Sequence, residues 1–247
     1  MKMIISPAKK MQEDTDSLPW HDLPCFLSST RRILASLSSM DYSALKKLWG
    51  CNDSIAEENG QRLEHMQLET GLTPALLAYQ GIQYQYMAPN VFTREELEYV
   101  QEHLFILSGF YGVLRPFDGI RAYRLEMGAK LSIDGHKDLY SFWGDMLSAK
   151  VFSEDDIVLD LASKEYSQCI SRYVPAGKKL VSCSFAQLVN GKAVEKATLC
   201  KMARGEMVRY LAQERIDCLE GVMAFDRLGH SFSRELSDEN KLVFLKQ

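Results

Sequence analysis

Two loops carry side chains that could act together on an anionic group. The first, Ser6-Pro7-Ala8-Lys9-Lys10, follows the apolar run Met3-Ile4-Ile5. Loops at the carboxyl ends of parallel strands are where α/β sheets hold ligands. The second is Ser163, which follows Ile157-Val158-Leu159-Asp160-Leu161 at a helix start, where free N–H groups favour an anion. Between them, residues 123–131 alternate. Tyr123, Leu125, Met127, Ala129 and Leu131 fall on one side, and Arg124, Glu126 and Lys130 on the other. If the two strands are neighbours, Ser6, Lys9, Ser163 and the Arg124/Glu126/Lys130 face share one cleft. Glu126 would then be a general base and Lys9 or Arg124 an anion clamp. Taken singly, each residue has a simpler structural reading: the serines cap turns, and Arg124 pairs with Glu126.

A third feature is Leu107-Ser108-Gly109-Phe110-Tyr111-Gly112-Val113-Leu114-Arg115-Pro116. The apolar positions Leu97, Val100, Leu104 and Leu107 predict a helix up to Gly109. A helix entering a tight turn with two glycines and a basic residue resembles a helix-hairpin-helix, whose backbone amides approach a DNA phosphate. The plainer reading is a helix end with Gly109 in the left-handed conformation. Further on, Lys201 and Arg204 are three apart and share a helix face. Gly205 beside them costs about 1 kcal/mol in mid-helix relative to Ala, so it either permits a close approach to these bases or only lets a neighbouring helix or strand pack tightly.

The elements that must position these groups read as α/β. Met3–Ile5, Ile157–Leu161 and Lys179–Phe185 predict buried strands, and 123–131 a half-buried one. Arg31–Met40, Tyr42–Leu48 and Lys196–Gln213 predict helices. Ser54-x-x-Glu57 and Thr93-x-x-Glu96 have the capping-box pattern, and Thr73-Pro74 with Gly81 brackets a short helix. The tail from Val222 to Leu245 predicts short closing strands. Interleaved strands and helices argue a mixed sheet flanked by helices, in one unit over residues 1–247.

Composition excludes several classes. The 247 residues are 46% apolar and 25% charged, as in an ordinary globular chain. The longest uncharged stretch, Thr70 to Thr93, contains Gln80, Gln83, Gln85, Pro74, Pro89 and Gly81, so no membrane span is expected. Six cysteines without a C-x-x-C pair, and no export signal, predict reduced cytosolic thiols. Five scattered histidines predict no metal site, and no cofactor is expected. Net charge is −4, yet it is uneven: residues 41–102 hold 10 acids and 4 bases, residues 164–209 hold 9 bases and 3 acids. Such asymmetry points weakly to an anionic partner.

Five motifs occur together and in order: Ile5-Ser6-Pro7-Ala8-Lys9; the run LSGFYGVLRPFDGIRAYRLEMG from Leu107 to Gly128; LYSFWG from Leu139; LASKEY from Leu161; and ARGEM from Ala203. By these the chain resembles the YaaA peroxide stress protein family from Met1 to the C-terminus. Ala122 stands where proline is common in that family, and Met202 where lysine is common. The resemblance implies a cytosolic bacterial protein that protects against hydrogen peroxide by lowering free intracellular iron. It also implies a single α/β fold, a helix-hairpin-helix-like element and binding to duplex or branched DNA. Carried across, the hairpin falls on Gly109 and Gly112, and the cleft bases on Lys9, Arg115, Arg121, Arg124 and Arg204, with Lys201 beside the last. An enzyme acting on an anionic small molecule or nucleic-acid product in the same cleft is the alternative. A regulator of iron uptake, binding a partner through the acidic 41–102 face, is a third reading.

Overall fold

The computed structural model describes residues 1–246. Its centre is β1 (Lys2–Ile5), where Met3, Ile4 and Ile5 have no exposed surface. The strands that follow in the main sheet are β2 (Leu104–Ser108), β3 (Gly112–Leu114), β4 (Ile157–Leu161), β5 (Lys179–Val189), β6 (Lys192–Val194), β7 (His230–Phe232) and β8 (Lys241–Lys246). They lie in the order β7-β8-β5-β4-β1-β2-β3, with β6 folded back on β5. The five neighbours β8, β5, β4, β1 and β2 are parallel. The remaining three pair antiparallel. Central parallel strands are covered on both faces, which is why MII and IVLDL read as continuous apolar runs rather than alternating ones.

Helices flank this sheet: α1 (Leu27–Ser38), α2 (Tyr42–Trp49), α3 (Asp53–Glu64), α4 (Ala75–Ala78), α5 (Ile82–Met87), α6 (Arg94–His103), α7 (Leu139–Trp143), α8 (Met146–Phe152), α9 (Lys164–Ser171), α10 (Ala197–Glu214) and α11 (Leu219–Met223). The expected α/β class with a mixed sheet is the observed one. The Thr93–Glu96 capping box is complete in both directions. The expected box at Ser54 is not used. Asn52 caps α3 instead, its side chain accepting the N–H of Ile55. Among the described residues no helix is long and apolar enough to cross a membrane.

Three expectations are corrected. The helix predicted to run to Gly109 stops at His103, and Leu104–Ser108 is a strand buried at every position. A spacing that also satisfies a helix gave way to burial on two faces, which only a central strand receives. Residues 123–131 bury Tyr123, Leu125, Met127 and Leu131, but the segment is irregular and joins no ladder. Most consequentially, Gly109 and Gly112 do not belong to a helix-hairpin-helix. They sit in the β2–β3 hairpin, buried, with the N–H groups of Phe110 and Tyr111 donating to Ser108 Oγ. A Cβ on Gly109 would lie 2.7 Å from the carbonyl oxygen of Leu125, and one on Gly112 2.9 Å from Trp143 and Leu147. These glycines let the hairpin pack inward rather than present amides to a phosphate.

Candidate functional site

The register of the central strands puts Ile5 beside Leu161, so β1 and β4 end together. Ser6 Oγ accepts the N–H of Ser163 at 2.8 Å and donates to Ser163 Oγ at 3.1 Å. The first loop is thereby tied to the start of α9. Tyr84 on α5 donates its hydroxyl to the Ser6 carbonyl at 3.0 Å. Helix α5 in turn lies directly on α10, because Gly205 lets the Gln83 carbonyl come where a Cβ would be only 2.0 Å away. Four segments thus enclose a cavity of about 430 Å³ at the carboxyl ends of β1 and β4.

Seven of the nominated side chains line it: Ser6, Lys9, Arg124, Glu126, Ser163, Lys201 and Arg204. Lys10, Glu165, Gln83 and the tyrosines 84, 123 and 166 line it as well. Five basic groups therefore face two carboxylates. Glu126 Oε1 sits 2.8 Å from Lys9 Nζ and 3.8 Å from Arg124. Lys9 is 66% exposed, so that pair adds at most about 1 kcal/mol and leaves the lysine free to move. Glu165 Oε1 accepts the N–H of Gly128 at 2.8 Å.

The deeper groups are less well matched. Arg124 Nε, Arg204 Nε and Gln83 Nε2 are buried and have no hydrogen-bond partner. A buried donor left unpaired costs about 1–3 kcal/mol, and all three belong to residues that line the cavity. Arg204 also acts on the buried Asp160. Burial raises the Asp160 carboxyl above the usual range, while hydrogen bonds from Ser167 and Ala162 and the Arg204 charge pull the other way. Burial pushes the hydroxyls of Tyr84 and Tyr166 well up and that of Tyr123 to about 12. These rings are neutral walls, not bases. Burial likewise raises the thiols of Cys25, Cys169, Cys183 and Cys200, the reverse of what a peroxide-reducing cysteine requires.

The motifs around this cavity run through the whole chain, and so does the family likeness. Residues 1–236 match the model of the family described as peroxide stress protein YaaA. The chain belongs to the YaaA peroxide stress protein family. A relative in Lachnoclostridium phytofermentans is 54% identical over 246 residues, covering 100% of this chain and 96% of the other. Relatives in Limosilactobacillus reuteri and Agathobacter rectalis are 51% and 50% identical, each covering 99% of this chain and 98% of the other. All three carry the name UPF0246 protein. Membership in the YaaA family gives this chain a peroxide-stress role.

The structure does not gather every nominated residue at this cavity. Arg115 donates to the carbonyls of Gln101 and Glu102, both at 2.9 Å, and to Glu154, with its guanidinium over the Phe105 ring. Arg121 donates to the Gly71 carbonyl at 2.8 Å and pairs with Glu13 at 3.1 Å. Lys130 is exposed outside the cavity. Gly109 and Gly112 are core positions. Among the described residues no three His, Cys, Asp or Glu side chains are grouped to hold a metal ion. Sequence reasoning missed Gln83 and the tyrosines. The mid-helix Gly205 was the one signal that another element, now seen as α5, would press against α10.

Proposed function

We propose that this YaaA-family protein acts in the cytoplasm and limits peroxide damage by binding DNA through the cleft at the ends of β1 and β4. The observation that carries the reading is the convergence of Lys9, Lys10, Arg124, Lys201 and Arg204 from three distant stretches of a chain whose net charge is −4. A local field of this kind attracts a polyanion whatever the overall charge. The backbone amides of Gly109 and Gly112, buried in the β2–β3 hairpin, play no part in this reading. Lower free iron enters the reading as a downstream effect of the protein, with no ligand cluster invoked.

The test is the salt dependence of binding to duplex and branched DNA, followed by fluorescence anisotropy. The slope of log K against log salt is expected to be about −0.9 per phosphate contacted. Arg124→Met and Arg204→Met should each weaken binding across all sequences and reduce the slope by about 1. Absence of binding at low salt, or slopes indifferent to both changes, refutes the reading. A second reading, turnover of an anionic small molecule, draws on the enclosed shape of the cavity and on Glu126 standing between two cations. Glu126→Gln abolishing a reaction found by a metabolite screen would favour it.

A further inference from the structure

We infer that the cavity receives one unpaired nucleotide of a DNA strand, base inward, while the strand on either side follows two grooves that open from it. This rests on the DNA-binding reading and narrows it. At about 430 Å³ the cavity has the size of a small-ligand pocket and cannot admit a duplex. Its wall suits a base. Tyr84, Tyr123 and Tyr166 are buried around it, neutral, and joined by Leu125 and Ile82 as apolar surface for the faces of a planar ring. Gln83 is 7% exposed and its amide nitrogen has no partner. A buried amide offers a donor and an acceptor side by side, which is what the edge of a base asks for.

The surroundings point to a strand rather than a free metabolite. One groove shares Lys10, Gln80, Gly81 and Tyr84 with the cavity and continues to Asn90 and Val91. Another shares Lys9, Arg124, Glu126 and Glu165 with it and continues to Trp49 and Gly50. A single small molecule needs neither, whereas a chain that enters and leaves needs both, and each begins at a lysine able to meet a phosphate. Taking a nucleotide out of a duplex costs stacking and pairing, and costs least where the base is already unpaired. The cavity therefore selects extrahelical bases, gaps and single strands over perfect duplex.

The experiment compares the full chain on four probes: a perfect duplex, the same duplex with one extrahelical 2-aminopurine, a single strand of equal length, and free adenosine monophosphate. The extrahelical duplex should bind at least about tenfold more tightly than the perfect one, with a change in 2-aminopurine emission on binding. Ala8→Trp and Ile82→Trp fill the cavity without altering charge, and each folded variant should bring that ratio toward one. Equal affinity for the two duplexes, a preference that survives both tryptophans, or free nucleotide bound as tightly as the strand overturns the inference while leaving DNA binding intact. Failure to bind any of the three DNAs instead overturns the parent reading, and this one with it.

Discussion

Gly205→Ala tests whether the α5–α10 contact builds the cavity. A Cβ at residue 205 would stand 2.0 Å from the Gln83 carbonyl oxygen and 2.9 Å from both the Gln83 carbonyl carbon and the Met87 nitrogen. All three neighbours are backbone, so no side chain can swing aside. Bringing the nearest contact to the 3.0 Å limit of real Cβ atoms requires about 1 Å of separation between the helices. Such overpacking costs about 1–3 kcal/mol, with the upper end expected against rigid backbone. Alanine offsets about 0.5–1 kcal/mol of this by its better helix propensity. The net loss is about 1–2 kcal/mol, which for a chain of this size lowers Tm by about 2–8 °C. Gln83 and Arg204 flank the contact, so DNA affinity should fall with it. Gly60 is the control, lying in α3 with nothing within 4 Å of an added Cβ. There propensity acts alone, and Gly60→Ala should raise Tm by about 1–4 °C. Thermal melts and anisotropy on both variants suffice. A Gly205→Ala protein that melts higher and binds unchanged would refute the reasoning.

Arg115 and Asp118 give two predictions away from the cavity. Arg115→Met removes donors to two carbonyls and Glu154, and should cost about 2 kcal/mol in urea unfolding while leaving the DNA salt slope unchanged. Burial pushes the Glu154 carboxyl up. Hydrogen bonds from Lys150, Arg115 and Lys2, and the Arg115 charge, outweigh it and hold the group at about 2. Its contribution is therefore full above the ordinary value of 4.5 and is lost as pH falls toward 2, a loss that should shrink in Arg115→Met. Asp118 has the opposite sign. Burial, against the N–H donated by Arg115, raises it from 3.8 to about 7. The folded state then holds a proton the unfolded chain has released, so stability from this group declines as pH rises between those values. Asp118→Asn keeps an acceptor for the Arg115 N–H and should gain on the parent from pH 4 to pH 7, by up to about 4 kcal/mol. A difference between the two proteins that stays constant over that range would show that Asp118 is ionised throughout.

The parts of this fold that could be read from sequence are those whose physics is local. Apolar runs on both faces fixed β1 and β4, and the loops after them followed as the place for Ser6, Lys9 and Ser163. The Thr93–Glu96 box closes within one helical turn, and its pattern needs nothing from elsewhere. What could not be read depends on distant backbone. Leu104–Ser108 carries helical spacing as well as strand composition, and only its place between β1 and β3 decides the matter. Arg115 and Arg121 look like free cations because their acceptors, the carbonyls of Gln101, Glu102 and Gly71, have no signature in side-chain identity. Gln83 reaches the cavity through a contact whose only trace was one glycine.

The same contrast says what makes an arginine part of a site. Arg115, Arg121, Arg124 and Arg204 carry equal charge, and a count of positive residues cannot rank them. Hydrogen bonding can. The first two donate to backbone carbonyls and carboxylates across the fold, so a phosphate reaching either would have to displace partners already in place. Arg124 donates one terminal nitrogen to the Trp49 carbonyl at 3.5 Å, but it and Arg204 each keep a buried Nε with nothing to accept it, and both line the cavity together with Gln83, whose amide nitrogen is also unpaired. Folding has left these donors desolvated and unpaired, a cost that an acceptor brought to them by a shift of either side chain would relieve. By this measure the proposed anion site belongs where the chain has buried more donors than it has satisfied, at the common end of β1 and β4.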